Sequence, residues 1–190
     1  MKLQLLKKLE RLNKDFFSIA DLGKVCRLKG ASLRVSLNRW VKQGYLRRLA
    51  RGIYQLNTTP FTPERIANQL YFPSYLSFES ALARYGALSQ IPYALTFATP
   101  RKTKTISLGD REVQFRQLKR ELFFGYTLKE GIYIALAEKA LLDTLYLASK
   151  GRLPLGKAEL NLKRLSKKRL RDFAKHFPAA TQRKLKELGF

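Results

Sequence analysis

Apolar positions change period along the chain, and the periods predict its elements. Leu3, Leu6, Leu9 and Leu12 recur every three residues, so Lys2–Asn13 is predicted to be an amphipathic first helix with Lys7, Lys8, Arg11 and Lys14 outward. Ile19, Leu22, Val25 and Cys26 give a second helical stripe, opened by the capping-box sequence Ser18-Ile-Ala-Asp21 and stopping near Lys29-Gly30. Leu33, Leu37, Trp40 and Val41 have the i, i+4, i+7, i+8 spacing of a third helix, with Trp40 expected in the core. Ser32 suits its N-cap and Gly44 its left-handed C-terminus. The chain then becomes strand-like at Tyr45–Leu49 and Ile53–Leu56, joined by the loop Ala50-Arg51-Gly52.

Two short helices, a Gly-containing turn and a basic hairpin make a winged helix-turn-helix pattern. At 100° per residue, Val35, Asn38, Arg39 and Lys42 fall opposite the buried stripe of the third helix, with Arg34 and Ser36 on the flanks and Ser32 at the start. In this reading the helix enters the major groove of DNA. Asn38 suits an adenine edge, Arg39 a guanine edge and Val35 a thymine methyl, while Arg34 and Lys42 position the module on phosphates. Arg47, Arg48 and Arg51 on the wing are expected at phosphate or the minor groove.

Beyond this module, Asn57–Thr62 is turn-rich and the best boundary, and Thr62-Pro63-Glu64 starts a helix. Ser77–Gly86 reads as a capped helix and Leu95–Ala98 as a strand. Hairpins are expected about Gly109-Asp110 and about Lys129-Glu130-Gly131. A helix over Ala137–Lys150 has Leu141, Leu142 and Leu145 inward. After Gly151 the chain is turn-like, then forms helices over Lys167–His176, capped by Ser166, and over Thr181–Leu188. The fold class is α+β, without βαβ or sequence repeats. The expected domains are 1–57, a winged helix-turn-helix; 58–150, an α+β effector domain; and 151–190, its basic helical extension.

Charge sharpens this picture. The 190 residues contain 38 Lys and Arg against 14 Asp and Glu, a net +24. Such an excess favours a polyanion, nucleic acid first and an anionic membrane as competitor. It is uneven: 14 basic and 3 acidic residues over 1–57, 12 and 8 over 58–150, and 12 and 3 over 151–190. No 18-residue apolar run and no signal-peptide core is present, and the single Cys26 fits a reducing compartment, so a cytoplasmic location is expected.

Catalytic and metal-binding patterns are thin. One His and one Cys exclude a His/Cys metal cluster, and no GxGxxG, GxxxxGK[ST] or GxSxG occurs. No metal or cofactor is expected. His176 falls at a helix C-terminus, where its charged form suits the dipole. Lys139, Asp143 and Tyr146 share a helix face, the first two as an ordinary i, i+4 ion pair, and Glu138 sits in the first turn. Asp110 and Glu112 beside Lys102 and Lys104 leave a metal-dependent nuclease as a remote alternative. In the tail, Lys163, Arg164, Lys167, Lys168, Arg169, Arg171 and Lys175 form a basic face for a toxin or nucleic acid, or a merely solvated one.

The order of FSIADLGKV, LNRWVKQGYLRRLARGIYQL, YLSFESALARYGAL, TFATPRKTKTI, LFFGY and AEKALLDTLY, from about residue 16 to 148, resembles AbiEi-type antitoxins of bacterial type IV toxin–antitoxin (abortive infection) systems. The resemblance implies a non-enzymatic antitoxin encoded beside a nucleotidyltransferase-like toxin of the AbiEii type. Its N-terminal domain would bind repeats in its own promoter and repress the operon, and its C-terminal domain would carry most of the antitoxin activity. Double-stranded DNA and the cognate toxin are the implied partners, with direct toxin contact left open, and the protein would act as a monomer or a DNA-assisted oligomer. The residues themselves also leave open a plain regulator with a ligand-sensing or dimerising second domain, and a structural protein that reads only charge.

Overall fold

Ser18 opens the helical core of the N-terminal region as the sequence predicts. In the computed structural model, which describes residues 2–153 and 160–190, the Ser18 hydroxyl accepts from the Asp21 N–H at 3.1 Å, and the Ser18 N–H donates to Asp21 Oδ2 at 2.9 Å. This reciprocal cap satisfies two orphan groups at the helix start. The chain runs α1 (Lys2–Arg11), β1 (Phe17–Ser18), α2 (Ile19–Cys26), α3 (Gly30–Lys42), β2 (Leu46–Ala50) and β3 (Ile53–Leu56). The strands form an antiparallel sheet in the order β1-β3-β2. Leu9, Phe17, Leu22, Leu33, Leu37, Leu46, Tyr54 and Leu56 make its core.

Several boundaries differ from expectation. Ser32 does not cap α3: the Leu33 N–H already bonds the Lys29 carbonyl, so the helix is under way before Ser32 is reached. α2 stops at Cys26 because Arg27 adopts a left-handed φ of 57°, ahead of Lys29-Gly30. α1 stops at Arg11, which leaves Leu12 exposed, while Leu5 packs on the core. Trp40 is half-buried, packed against the core rather than within it. Gly44 does end α3, at φ 76°, with the Tyr45 N–H on the Trp40 carbonyl and the Gly44 N–H on that of Val41, both at 3.0 Å, the paired bonds of a Schellman motif.

After the connector come α4 (Pro63–Leu70), β4 (Tyr75–Leu76), α5 (Phe78–Arg84), β5 (Leu95–Thr99), β6 (Lys104–Leu108), β7 (Arg111–Gln117), β8 (Tyr126–Lys129), β9 (Ile132–Ala135), α6 (Ala137–Ser149), α7 (Lys167–Ala174) and α8 (Ala179–Lys186). The six strands form a mixed sheet in the order β6-β7-β5-β4-β9-β8. β4 pairs parallel with β9, and β5 parallel with β7. Both hairpins occur where predicted, the second turning through Glu130 and Gly131 at φ 53° and 76°. α6 packs against α5, α7 and α8 and is buried from Glu138 to Leu147. Ser77 caps α5 without a side-chain bond, because its hydroxyl is drawn to Asp143. Pro178 starts α8 at Ala179, two residues before the expected Thr181.

The fold is α+β, in two compact units. One comprises residues 1–66 with 107–110, the other 67–106 with 111–190, so the division falls within α4 rather than at the 57–62 connector. Part of the turn-like stretch expected after Gly151, residues 154–159, lies outside the described residues.

Candidate nucleic-acid interface

α3 presents one fixed face to solvent. Leu33 and Leu37, 6% and 0% exposed, pin its inner side, and burying each leucine contributes roughly 1.5–3 kcal/mol. The opposite side is open at Ser32, Arg34, Val35, Asn38, Arg39 and Lys42, while Ser36 is half-buried. Val35 is 57% exposed, an unpaid burial for an aliphatic side chain unless something covers it. Ser36 and Arg39 also flank a cleft of about 330 Å3 between α1, α2 and α3, walled by Leu5, Val25, Leu28 and Trp40. Cys26 borders it, and burial pushes the thiol up from its ordinary pKa.

The three wing arginines divide. Arg48 and Arg51 are exposed, Arg48 Nε donating to the Ala50 carbonyl at 3.4 Å. Arg47 is turned inward and leaves the contact set: its guanidinium donates to the Asn57 and Thr59 carbonyls at 3.1 and 3.0 Å and lies 5.9 Å from the Phe61 ring. Successive residues of a strand point to opposite faces, so Arg47 and Arg48 cannot serve the same surface. That alternation was the available signal.

The tail basic residues also separate into occupied and free. Arg169 donates to Glu138 Oε2 at 3.2 Å, Lys175 to Asp172 Oδ1 at 3.2 Å, and the Arg164 guanidinium lies against Gly86. Lys163, Lys167, Lys168 and Arg171 are exposed. His176, just past α7, is exposed and meets Phe124 edge-on at 5.1 Å.

The i, i+4 pair Lys139–Asp143 forms, but it is wholly buried rather than an ordinary surface pair, and Tyr146 takes no part in it. Tyr75 and Ser77 complete the group: their hydroxyls donate to Asp143 Oδ2 at 3.0 and 2.8 Å, and Lys139 Nζ donates to the Tyr75 hydroxyl at 2.9 Å. Burial pushes the Asp143 pKa up and that of Lys139 down, and their mutual attraction opposes both shifts. Phe124 and Phe177 cover the ammonium at 5.1 and 5.2 Å. The group is enclosed on every side and serves the core. Glu112 accepts from Gln114 at 2.6 Å, and among the described residues no three His, Cys, Asp or Glu side chains gather to hold a metal.

Residues 4–57 match the family model described as "Transcriptional regulator, AbiEi antitoxin". Over these residues the chain is similar to that family. The match begins in α1 and ends one residue past β3, so it takes in both helices of the helix-turn-helix and the whole wing. YLSFESALARYGAL and AEKALLDTLY lie beyond it. No curated protein matches the chain. Among solved structures, the Rv2827c protein from Mycobacterium tuberculosis superposes with a TM-score of 0.65 at 14% identity, covering 97% of this chain and 74% of that one. At that identity the likeness is one of fold alone. Among the described residues no helix is long and apolar enough to cross a membrane.

Proposed function

We propose that the chain is a cytoplasmic antitoxin that represses its own operon and counteracts a nucleotidyltransferase-like toxin. The observation that carries this reading is the exposed face of α3 within a module of the AbiEi transcriptional-regulator family. Asn38 and Arg39 read base edges, Val35 meets a thymine methyl, and Arg34, Lys42, Arg48 and Arg51 hold phosphates, with Ser32 and Ser36 at the margin. The net +24 charge supplies sequence-independent attraction on which this readout is superimposed. The second unit carries the antitoxin function, with Lys163, Lys167, Lys168 and Arg171 as its free basic face. If that face meets the toxin directly, an acidic surface on the toxin is its complement.

Two readouts in cells test the two halves separately. A reporter driven by the DNA upstream of this gene is expected to be repressed by the full chain and relieved by Arg39→Ala. Growth arrested by the neighbouring toxin is expected to recover on co-expression of the chain, including the Arg39→Ala variant. An unrepressed reporter contradicts the autorepressor reading, and absence of rescue contradicts the antitoxin reading.

A further inference from the structure

Four aromatic rings of the second unit form a continuous row that reaches solvent. Phe72, just before β4, lies 6.1 Å from Tyr133 of β9; Tyr133 lies 5.9 Å from Tyr126 of β8, and Tyr126 5.2 Å from Phe123, all between ring centroids. Tyr126 and Leu128 alternate along the edge strand, and Leu128 stands directly opposite Tyr133, so the three share one face of the sheet. This face is open: Phe72 is 58% exposed, Leu128 59% and Tyr126 36%. A contiguous exposed apolar patch marks an interaction surface.

Among the described residues, the charged side chains placed around the row without an ion pair are basic. Arg101 donates to the Phe72 carbonyl at 3.0 Å and lies over the Tyr71 ring at 4.0 Å, with Lys102 exposed beside it. At the other end, exposed Arg120 stands three residues before Phe123. The neighbouring acids are occupied, Glu130 by Arg84 at 2.5 Å and Glu121 by Lys119 at 3.3 Å.

We propose that this row binds a single-stranded polynucleotide, with a base stacked on Phe72, a second on the face of Tyr126 opposite its 4.6 Å stack on buried Tyr75, and phosphates at Arg101 and Lys102. Aromatic faces flanked by cations that no carboxylate neutralises match the two things a single strand offers, unpaired π surfaces and regularly spaced negative charge. An aliphatic protein surface would satisfy the rings but not the cations, and a duplex closes its base faces. Stacking rather than edge recognition carries the contact, so little sequence preference is expected. The site uses no residue of α3, and the inference does not rest on the promoter-binding reading.

The test is fluorescence anisotropy of labelled oligo-dT and oligo-U, about twelve nucleotides long, with the full chain and an excess of unlabelled duplex to occupy α3. Phe72→Ala and Phe72→Leu are expected to weaken both oligonucleotides about tenfold, the loss of one base stack, while Phe72→Trp retains binding. Because Leu keeps the apolar bulk without a π face, its loss of binding separates stacking from folding. Duplex binding should be unchanged in these variants, and single-strand binding unchanged in Arg39→Ala. A preference for oligo-U over oligo-dT would identify RNA as the strand selected. Wild-type affinity in Phe72→Leu, or equal losses for single strand and duplex, overturns the proposal and assigns the row to a protein partner.

Discussion

Arg39 and Arg48 carry the same charge but stand in different settings. Arg39 is on the exposed face of a helix pinned by Leu37, whereas Arg48 is on the outer side of the wing. Arg39→Ala is therefore expected to cost about 1–3 kcal/mol on the operator and to relax selectivity at one base pair. Arg48→Ala should weaken all sequences alike and lower the salt slope by about one. Affinity measured over a set of single-base operator variants checks both, and identical profiles would contradict the division. Arg47→Ala should leave that salt slope unchanged and lower the melting temperature, since it strips the donor from two connector carbonyls. In the core, Asp143→Ala strands a buried ammonium and is expected to cost about 3–5 kcal/mol in denaturant unfolding. A double replacement, Lys139→Met with Asp143→Leu, should recover most of that loss. The Lys139–Asp143 pair was legible as an i, i+4 spacing, but its burial was not. Helix periodicity shows which residues share a face, not that Tyr75, Ser77, Phe124 and Phe177 close over it.

At the scale of elements, caps and turns are the most legible features because their signals are local. The Ser18–Asp21 box, Gly44 and the Glu130-Gly131 turn each need only a few adjacent residues. The sheet order is different. One of its two central strands, β4, has only Tyr75 and Leu76 and pairs with Ile134 far along the chain, so no period or turn residue announces it. β1 joined the wing unannounced for the same reason. The cap also makes a pH prediction. The Ser18 N–H and hydroxyl hold the Asp21 carboxyl below its ordinary pKa, and Lys14 at 3.3 Å adds to this. A depressed folded-state pKa stabilises above the unfolded value near 4, and the contribution is lost as pH falls below it. Asp21→Asn should therefore melt lower than wild type at neutral pH, and the gap should narrow as pH falls below about 4. A gap that is constant through that range would contradict the cap's electrostatic contribution.

For the whole molecule, the question is whether sequence readout exceeds attraction by charge. A net +24 chain binds any duplex at low salt, so affinity alone carries no information about α3. Charge was fully legible in the sequence, as was the wing that gives it direction. The open aromatic row in the second unit was not, because Phe72, Tyr133 and Tyr126 come together only through strand pairing. The most direct measurement is fluorescence anisotropy of the full chain with the duplex upstream of its own gene against a scrambled duplex, across a salt series. A preference of ~10³ or more that persists at physiological salt is the expected result for a specific repressor. Equal affinities with the same steep salt slope would contradict it, leaving net charge as the whole of the interaction.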